Sequence, residues 1–430
     1  MKRICFLLLV VTLLLSLIAF SASADEQEPI TITYWHHDAS EGIVNAMMAI
    51  TEMFEAENPG IKVDFLALPA DSFYQKYVLA VATGTAPDAF GVRIQELASL
   101  INMGALEPLD DYMPAWDEYA NLEAAALQPV RAAATDGKLY MLPGYTNVNV
   151  NWYNSKMFAE NGITYPANIT DFLSLCEQYA DPDNGKYFYT FRGGRGAYSN
   201  LFPFAFSYSG ITSFFDGDGQ CTLNNPKFIE GLQAYIDIYK NGWTSRDGIN
   251  NSYKEMVLEF GSETAMLMTH NSSSLPEHMK NLGEGNFMLG AASVPGEDGV
   301  ACVAALDPIG ASVSATSGQK EAALKLVEFY ASAEAMSYYC EAVGKVPLNS
   351  GIYNDEWYAS SPYMNEVKNI LADPSIVWFQ QPNYLPGWTD FCNTVDANVQ
   401  ALCLGEADAA DIAAQWSDML NESMAEYKAQ

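Results

Sequence analysis

The feature that most constrains this chain is an alternation of two hydrophobic periods between Ile30 and Val92. Ile30-Thr-Ile-Thr-Tyr-Trp35 places every second residue on an apolar face and reads as a strand. Polar His36, His37 and Asp38 follow it directly. Ile43, Met47, Ile50 and Phe54 then recur at helical spacing, and Asn58-Pro59-Gly60 stops that helix because proline cannot continue the hydrogen-bond ladder. Ile61-Lys-Val-Asp-Phe65 is a second strand. A helix with Phe73, Tyr77, Val78 and Val81 on one face follows, with Asp71 and Ser72 available as caps. Gly84-Thr-Ala-Pro87-Asp88 breaks this helix and leads into a short strand, Ala89 to Val92. Strand-helix-strand-helix-strand specifies an α/β domain with a largely parallel sheet.

The same grammar continues. Val148 to Trp152 alternates as a strand, Asn225-Pro226 caps and opens a helix that Asn241-Gly242 closes, and Lys320 to Tyr330 forms another helix. A chain of 430 residues with 49% apolar and 13% aromatic content supports two or three such domains and excludes an intrinsically disordered chain. Its 53 acidic against 21 basic residues, a formal charge of -32, repels phosphate backbones and anionic headgroups, so nucleic acid is not an expected partner.

Lys2 and Arg3 precede an apolar run from Ile4 to Phe20, and Ser21-Ala22-Ser23-Ala24 supplies small residues, so 1–24 is expected to be a cleaved signal peptide. Cys5 lies at the very start of the apolar run rather than just after it, so no lipid-anchor motif is seen, and a soluble exported protein, periplasmic or extracellular, is expected. The six remaining cysteines permit disulfides, yet Cys392 and Cys403 sit eleven apart in one expected helix, about 16 Å along its axis, and no C-x-x-C occurs. Mostly reduced, structural cysteines are expected.

The order of segments resembles the extracellular solute-binding proteins of ABC importers, in the branch that includes maltose-binding protein. The resemblance is carried by Phe54-Glu-Ala-Glu-Asn-Pro-Gly-Ile-Lys-Val63, Ala82-Thr-Gly-Thr-Ala-Pro-Asp-Ala89, Leu100 to Asp110, Asp136 to Pro143 and Trp152-Tyr-Asn154, then Gly261 to Met266, Lys320 to Phe329 and Gly344-Lys-Val-Pro347. It implies a periplasmic-binding-protein-like fold: two α/β lobes joined by a multi-strand hinge, with the ligand cleft between them. Carried over, the N-terminal lobe takes 25–145 plus 302–348 and the C-terminal lobe 149–300 plus 352–430. The crossovers fall near Tyr145 to Val148, near residue 300, and near Leu348 to Gly351.

A sugar offers hydroxyls to polar side chains and C–H faces to aromatic rings. His36, His37 and Asp38 end the first strand, which lines the cleft in this family. Arg93 and Gln95 follow the third strand, while Asp88 is expected to brace the turn. Tyr145 and Asn147 sit at the first crossover, where maltose-binding relatives carry an acid. In the second lobe the candidates are Arg192, with Arg195 beside it, then His270 and Asn271, and Tyr384, Trp388 and Asp390 around a Pro386-Gly387 break that favours an exposed tryptophan. Asp307 and Gly310 are weaker candidates on a returning first-lobe strand.

Other chemistries find no support. Asp216-Gly-Asp-Gly-Gln220 begins like a calcium loop but has Lys227 where the twelfth-position acid belongs, and reads as a tight hairpin. Four histidines are few for a metal site, and the zinc-protease, nucleophile-elbow and phosphate-loop motifs are absent. The expected function is a monomeric, non-enzymatic receptor, without metal or cofactor, that binds a sugar or oligosaccharide and delivers it to an ABC permease. The alternatives are the same fold binding another solute such as a polyamine and, further off, a secreted glycoside hydrolase.

Overall fold

The computed structural model describes residues 29–70, 72–290, 293–385 and 387–429. The expected signal peptide and the Asp71 cap lie outside the described residues. In chain order the strands are β1 (Ile30–His36), β2 (Ile61–Ala67), β3 (Ala89–Arg93), β4 (Leu142–Thr146), β5 (Asn149–Tyr153), β6 (Tyr187–Tyr189), β7 (Ala265–Asn271), β8 (Met288–Gly290), β9 (Ala301–Ala304), β10 (Ile309–Val313), β11 (Val346–Pro347) and β12 (Ile376–Phe379).

Local signals in the sequence set the first elements. The helix Glu41–Glu57 buries Met47, Ile50 and Phe54, and the Asn58 amide bonds back to the Phe54 carbonyl where it ends. Gly84 closes the helix Phe73–Thr83 in the left-handed conformation, φ 69°, which residues with a Cβ adopt at a cost. Asp88 braces the turn that follows. Its carboxylate accepts from the Thr33 amide and hydroxyl, and from the Ser317 hydroxyl. Asn225 caps the helix Pro226–Lys240 through the Lys227 amide.

The chain forms two α/β lobes. The larger sheet has the order β11-β4-β10-β3-β1-β2. β1 pairs in parallel with β2 and β3, as the opening alternation requires. It is nevertheless a mixed sheet, because β10 returns from the second half of the chain and inserts antiparallel between β3 and β4. Gly310 sits at a register shift of this pairing. A Cβ there would lie 1.9 Å from the Leu142 carbonyl oxygen, so the residue serves close strand packing and does not reach a cleft. The second sheet, β6-β7-β5-β8, carries the other lobe.

β9 pairs in parallel with β12, and the buried Cys302 amide donates to Ser207 of the second-lobe helix Tyr198–Ser209. Residues 302–304, assigned by the sequence to the first lobe, therefore pair with the strand 376–379 from the second. One core cluster runs from Ile32, Phe54 and Leu326 through Tyr145 to Val150 and Trp152. The other gathers Phe202, Phe206, Phe214, Phe391 and Trp416. All six cysteines described are free, and Cys221 alone of them is not fully buried. Asp216 and Gln220 close the expected hairpin through backbone bonds, with Gly219 at φ 76°. Among the described residues no helix is long and apolar enough to cross a membrane.

Candidate functional site

Ligands of open α/β sheets collect at the carboxyl ends of parallel strands. Here those ends bring β1 and β3 side by side, and His36, His37 and Arg93 with them. Gly91 of β3 makes the convergence possible. A Cβ on it would meet the Tyr34 hydroxyl at 2.8 Å, His36 Nδ1 at 3.0 Å and His37 Nδ1 at 3.1 Å. Both imidazoles are buried, 2% and 5% exposed, with ring centroids 4.3 Å apart. Desolvation pushes His36 down to about 4 and His37 well below the ordinary range, so both are neutral at pH 7. Among the described residues His36 Nε2 and His37 Nδ1 have no hydrogen-bond partner.

Arg93 lies over the Phe73 ring, 4.5 Å from its centroid, and is held by Glu96 through two hydrogen bonds. Burial opposes its charge, but Glu96 more than offsets this and the guanidinium pKa rises. Asp307 faces the same pair. Burial pushes its carboxyl up to about 6 against the pull of Arg93 and a Gln95 hydrogen bond. At the first crossover Tyr145 is buried, and its hydroxyl accepts from Tyr339 at 3.2 Å. Asn147 accepts from Lys345 Nζ at 2.9 Å. Lys345 was not among the sequence candidates, although it stands inside the Gly344-Lys-Val-Pro347 segment. Desolvation lowers it to about 8, against the opposing pull of Asp38, Cys340 and Glu277. Asp38 itself accepts from the Ser40 amide.

The second lobe contributes a glycine-rich loop. Gly193 and Gly194 bond to the Gly248 and Asn251 carbonyls so closely that a Cβ on either would sit 2.7 Å or less from backbone atoms of residues 249 and 250. This docking fixes Arg192, whose Nε donates to the Arg195 carbonyl and whose Nη1 donates to Ser199 Oγ, both at 3.0 Å. Asp396 accepts from the Gly196 and Tyr198 amides and anchors the start of the helix Tyr198–Ser209. Tyr198 is close enough to the first lobe for its phenol to bear on Arg93, while Asp307 in turn bears on Tyr198. His270 stacks on Tyr253, 4.6 Å between centroids, and bonds Ser274. Burial, then Arg192, His278 and Lys345, push it well down, so cations from both lobes act on this one ring.

Three candidates, Trp388, Asn271 and Asp390, are placed differently from expectation. Trp388 is 4% exposed and packs edge-on against Phe214 and stacked on Phe391, so it belongs to the second-lobe core rather than presenting an exposed platform. The Asn271 side chain caps the turn that follows it through the Ser273 amide, while its carbonyl accepts from Trp152. Asp390 is exposed on the first turn of the helix Trp388–Leu404. Tyr384 leans on Tyr427 and, with Asp307, lines a cavity of about 130 Å³ between the helix Ala124–Ala132 and the 380–384 segment. Gln128, Gln380, Gln381 and Asn383 give that cavity neutral polar walls. A wider depression of about 690 Å³ opens at the other end of β1, beside Ile30 and Lys320. It lies roughly 20 Å from His36 by strand rise, away from these groups.

Residues 39–337 match the family model of bacterial extracellular solute-binding proteins. The maltotriose-binding protein of Pyrococcus abyssi is 24% identical over 81% of this chain and 71% of its own length. The GacH receptor of Streptomyces glaucescens, solved without ligand and with acarbose, superposes with a TM-score of 0.79 at 18% identity over 92% of this chain and 98% of the receptor. Maltose-bound MalE3 of T. maritima gives the same TM-score and identity over 91% and 99%.

Proposed function

The chain belongs to the bacterial extracellular solute-binding proteins, and on that premise we propose that it captures a sugar or oligosaccharide outside the cell and delivers it, chemically unchanged, to the permease of an ABC importer. The observation that carries this reading is the convergence, at the carboxyl ends of β1 and β3, of buried side chains with hydrogen-bonding capacity left over. His36 and His37 offer unpartnered ring nitrogens, Lys345 and Asn147 stand at the crossover, and Arg192 and Tyr198 approach from the other lobe. The amide-lined cavity beside Tyr384 extends the site with neutral polar groups suited to hydroxyls.

The lobes proposed are 25–145 with 302–348 and 149–300 with 352–430, hinged at the three crossovers. The pairing of β9 with β12 supports moving the second crossover past Ala304. A ligand touching both lobes shifts the population toward the closed form by its differential affinity for that form. We further propose that residues 1–24 direct export and are removed, that the receptor acts as a monomer, and that it performs no catalysis.

A thermal-shift screen across mono- and oligosaccharides tests the reading, with small-angle scattering on the hits. At least one sugar should raise the melting temperature and contract the molecule. Stabilisation by putrescine alone, or by no solute in a preparation freed of ligand by unfolding and refolding, would overturn it.

A further inference from the structure

Two half-buried groups of opposite charge flank a contact between the lobes without being paired. On the first-lobe side, Gly344 ends the helix Ala333–Val343 in the left-handed conformation, φ 66°, and the chain runs on into β11 of the larger sheet. On the second-lobe side, the helix Leu275–Leu282 begins just after β7. A Cβ on Gly344 would lie 2.9 Å from Pro276 Cδ and 3.6 Å from Leu275 Cβ, so the lobes touch at this point. Pro276 is exposed, which puts the contact at an edge of the interlobe space. The next residue on each side carries a charge: Lys345 on the first lobe and Glu277 on the second. Lys345 Nζ donates to Asn147 Oδ1 and, among the described residues, forms no ion pair. Glu277 Oε1 accepts from the Tyr253 hydroxyl at 3.1 Å, while Oε2 is buried and has no partner among the described residues.

We propose, on the hinged-receptor reading above, that Lys345 and Glu277 are positioning residues that form an ion pair across the lobes when the receptor closes. An ammonium with a neutral acceptor and a carboxylate oxygen with none each keep part of their burial penalty, and pairing offsets it for both with a charge-assisted hydrogen bond. Little movement is required. The Gly344 and Pro276 contact acts as a pivot beside the two charges, and a lysine stem has the freedom to swing from Asn147 to Glu277. Asn147 is itself a candidate for the ligand, and a sugar hydroxyl donating to its Oδ1 competes with Lys345 for that oxygen. Because the pair belongs to the closed form alone, it adds to the differential by which a ligand shifts the lobes. Asp38 is the other acid acting on Lys345, and acts on it more strongly than Glu277 does. It stands on the same lobe as the lysine and already accepts from the Ser40 amide, so a pair with Asp38 would not respond to lobe movement.

The test is zero-length cross-linking of the intact chain, freed of bound ligand, with a water-soluble carbodiimide at pH 7. The reagent activates a carboxyl, and an amine in direct contact displaces it to leave an amide. Lys345, lowered to about 8, keeps part of its neutral amine at that pH. Closed molecules, a minority at any moment, are trapped irreversibly and accumulate. Peptide mass spectrometry should find Lys345 joined to Glu277, and small-angle scattering should find the joined molecules more compact than untreated ones. Lys62 with Glu55 at 2.6 Å and Lys320 with Glu107 at 2.7 Å report that the reagent works. Glu277→Gln should abolish the adduct, and Asp38→Asn should keep it. Charge exchange, Lys345→Glu with Glu277→Lys, should restore an adduct that Lys345→Glu alone loses. The result on the unaltered chain stands even where a variant misfolds. Lys345 joined to Asp38 alone, no adduct at Lys345, or joined molecules of unchanged size would overturn the pairing on closure. No sugar enters the reaction, so these failures leave the sugar reading intact, whereas failure of every sugar to bind leaves the cross-link unaffected.

Discussion

The carboxyl end of β1 and the start of the helix Trp388–Leu404 bury their characteristic side chains almost equally, and for opposite reasons. At the helix start, Trp388 is enclosed by Phe214 and Phe391, and the apolar contact is complete within the protein. At the strand end, His36 and His37 are as deeply buried, but each keeps a ring nitrogen that no group among the described residues satisfies. A buried aromatic is stabilised by its neighbours alone, whereas a buried unpaired nitrogen costs about 1–3 kcal/mol until something bonds to it. Burial by itself therefore does not mark a binding residue.

That contrast can be broken most forcefully at Trp388. Trp388→Ala should lower the unfolding free energy by about 3–5 kcal/mol, read from denaturant midpoints, while folded molecules keep their sugar affinity. Loss of affinity with stability unchanged would return Trp388 to the site. The histidines offer the next largest effect. With His36 near 4 when folded and 6.5 when free, the unfolded chain binds the extra proton between those values. Stability is therefore complete above pH 6.5 and is lost as pH falls towards 4, by about 3 kcal/mol for this residue. His37, His270 and His278 shift in the same direction. Asp307, raised to about 6, opposes them and favours the folded state at the acid end. Melting temperatures from pH 7 to pH 4 should fall, and His36→Gln should flatten the slope; a curve identical to the unaltered chain would contradict this.

Gly91→Ala comes third. Its methyl group would press on Tyr34, His36 and His37, at a cost of about 1–3 kcal/mol, and sugar affinity should fall with it. Unchanged calorimetric affinity would show that the imidazoles do not face the ligand. The smallest effect is expected from Asp390→Asn. Exposed at a helix start, Asp390 contributes through the helix dipole, so stability should fall by less than about 1 kcal/mol and binding should stay the same.

What was legible in the sequence was local. Gly84, Asn225-Pro226 and the alternating strands act within a few residues, and each formed the element its pattern specifies. The polar end of β1 was legible for the same reason, since strand and turn chemistry place it. Lys345, Tyr198 and Asp396 were not, because their roles come from partners far along the chain. Lys345 meets Asn147 across 198 positions, and Asp396 meets Gly196 across 200. No periodicity encodes such meetings. Trp388 was misread because a Pro-Gly break signals a change of direction, which says nothing about what covers the next side chain.

The insertion of β10 between β3 and β4 also governs how the molecule is made. A ribosome has emitted more than 300 residues before either neighbour receives the strand that separates them. Until then both carry bare backbone edges able to pair with another polypeptide. Pairing over such separations is slow to nucleate, so assembly of this lobe awaits the far half of the chain. Any premature stop before Ile309 thus yields a sticky fragment rather than a working half-receptor.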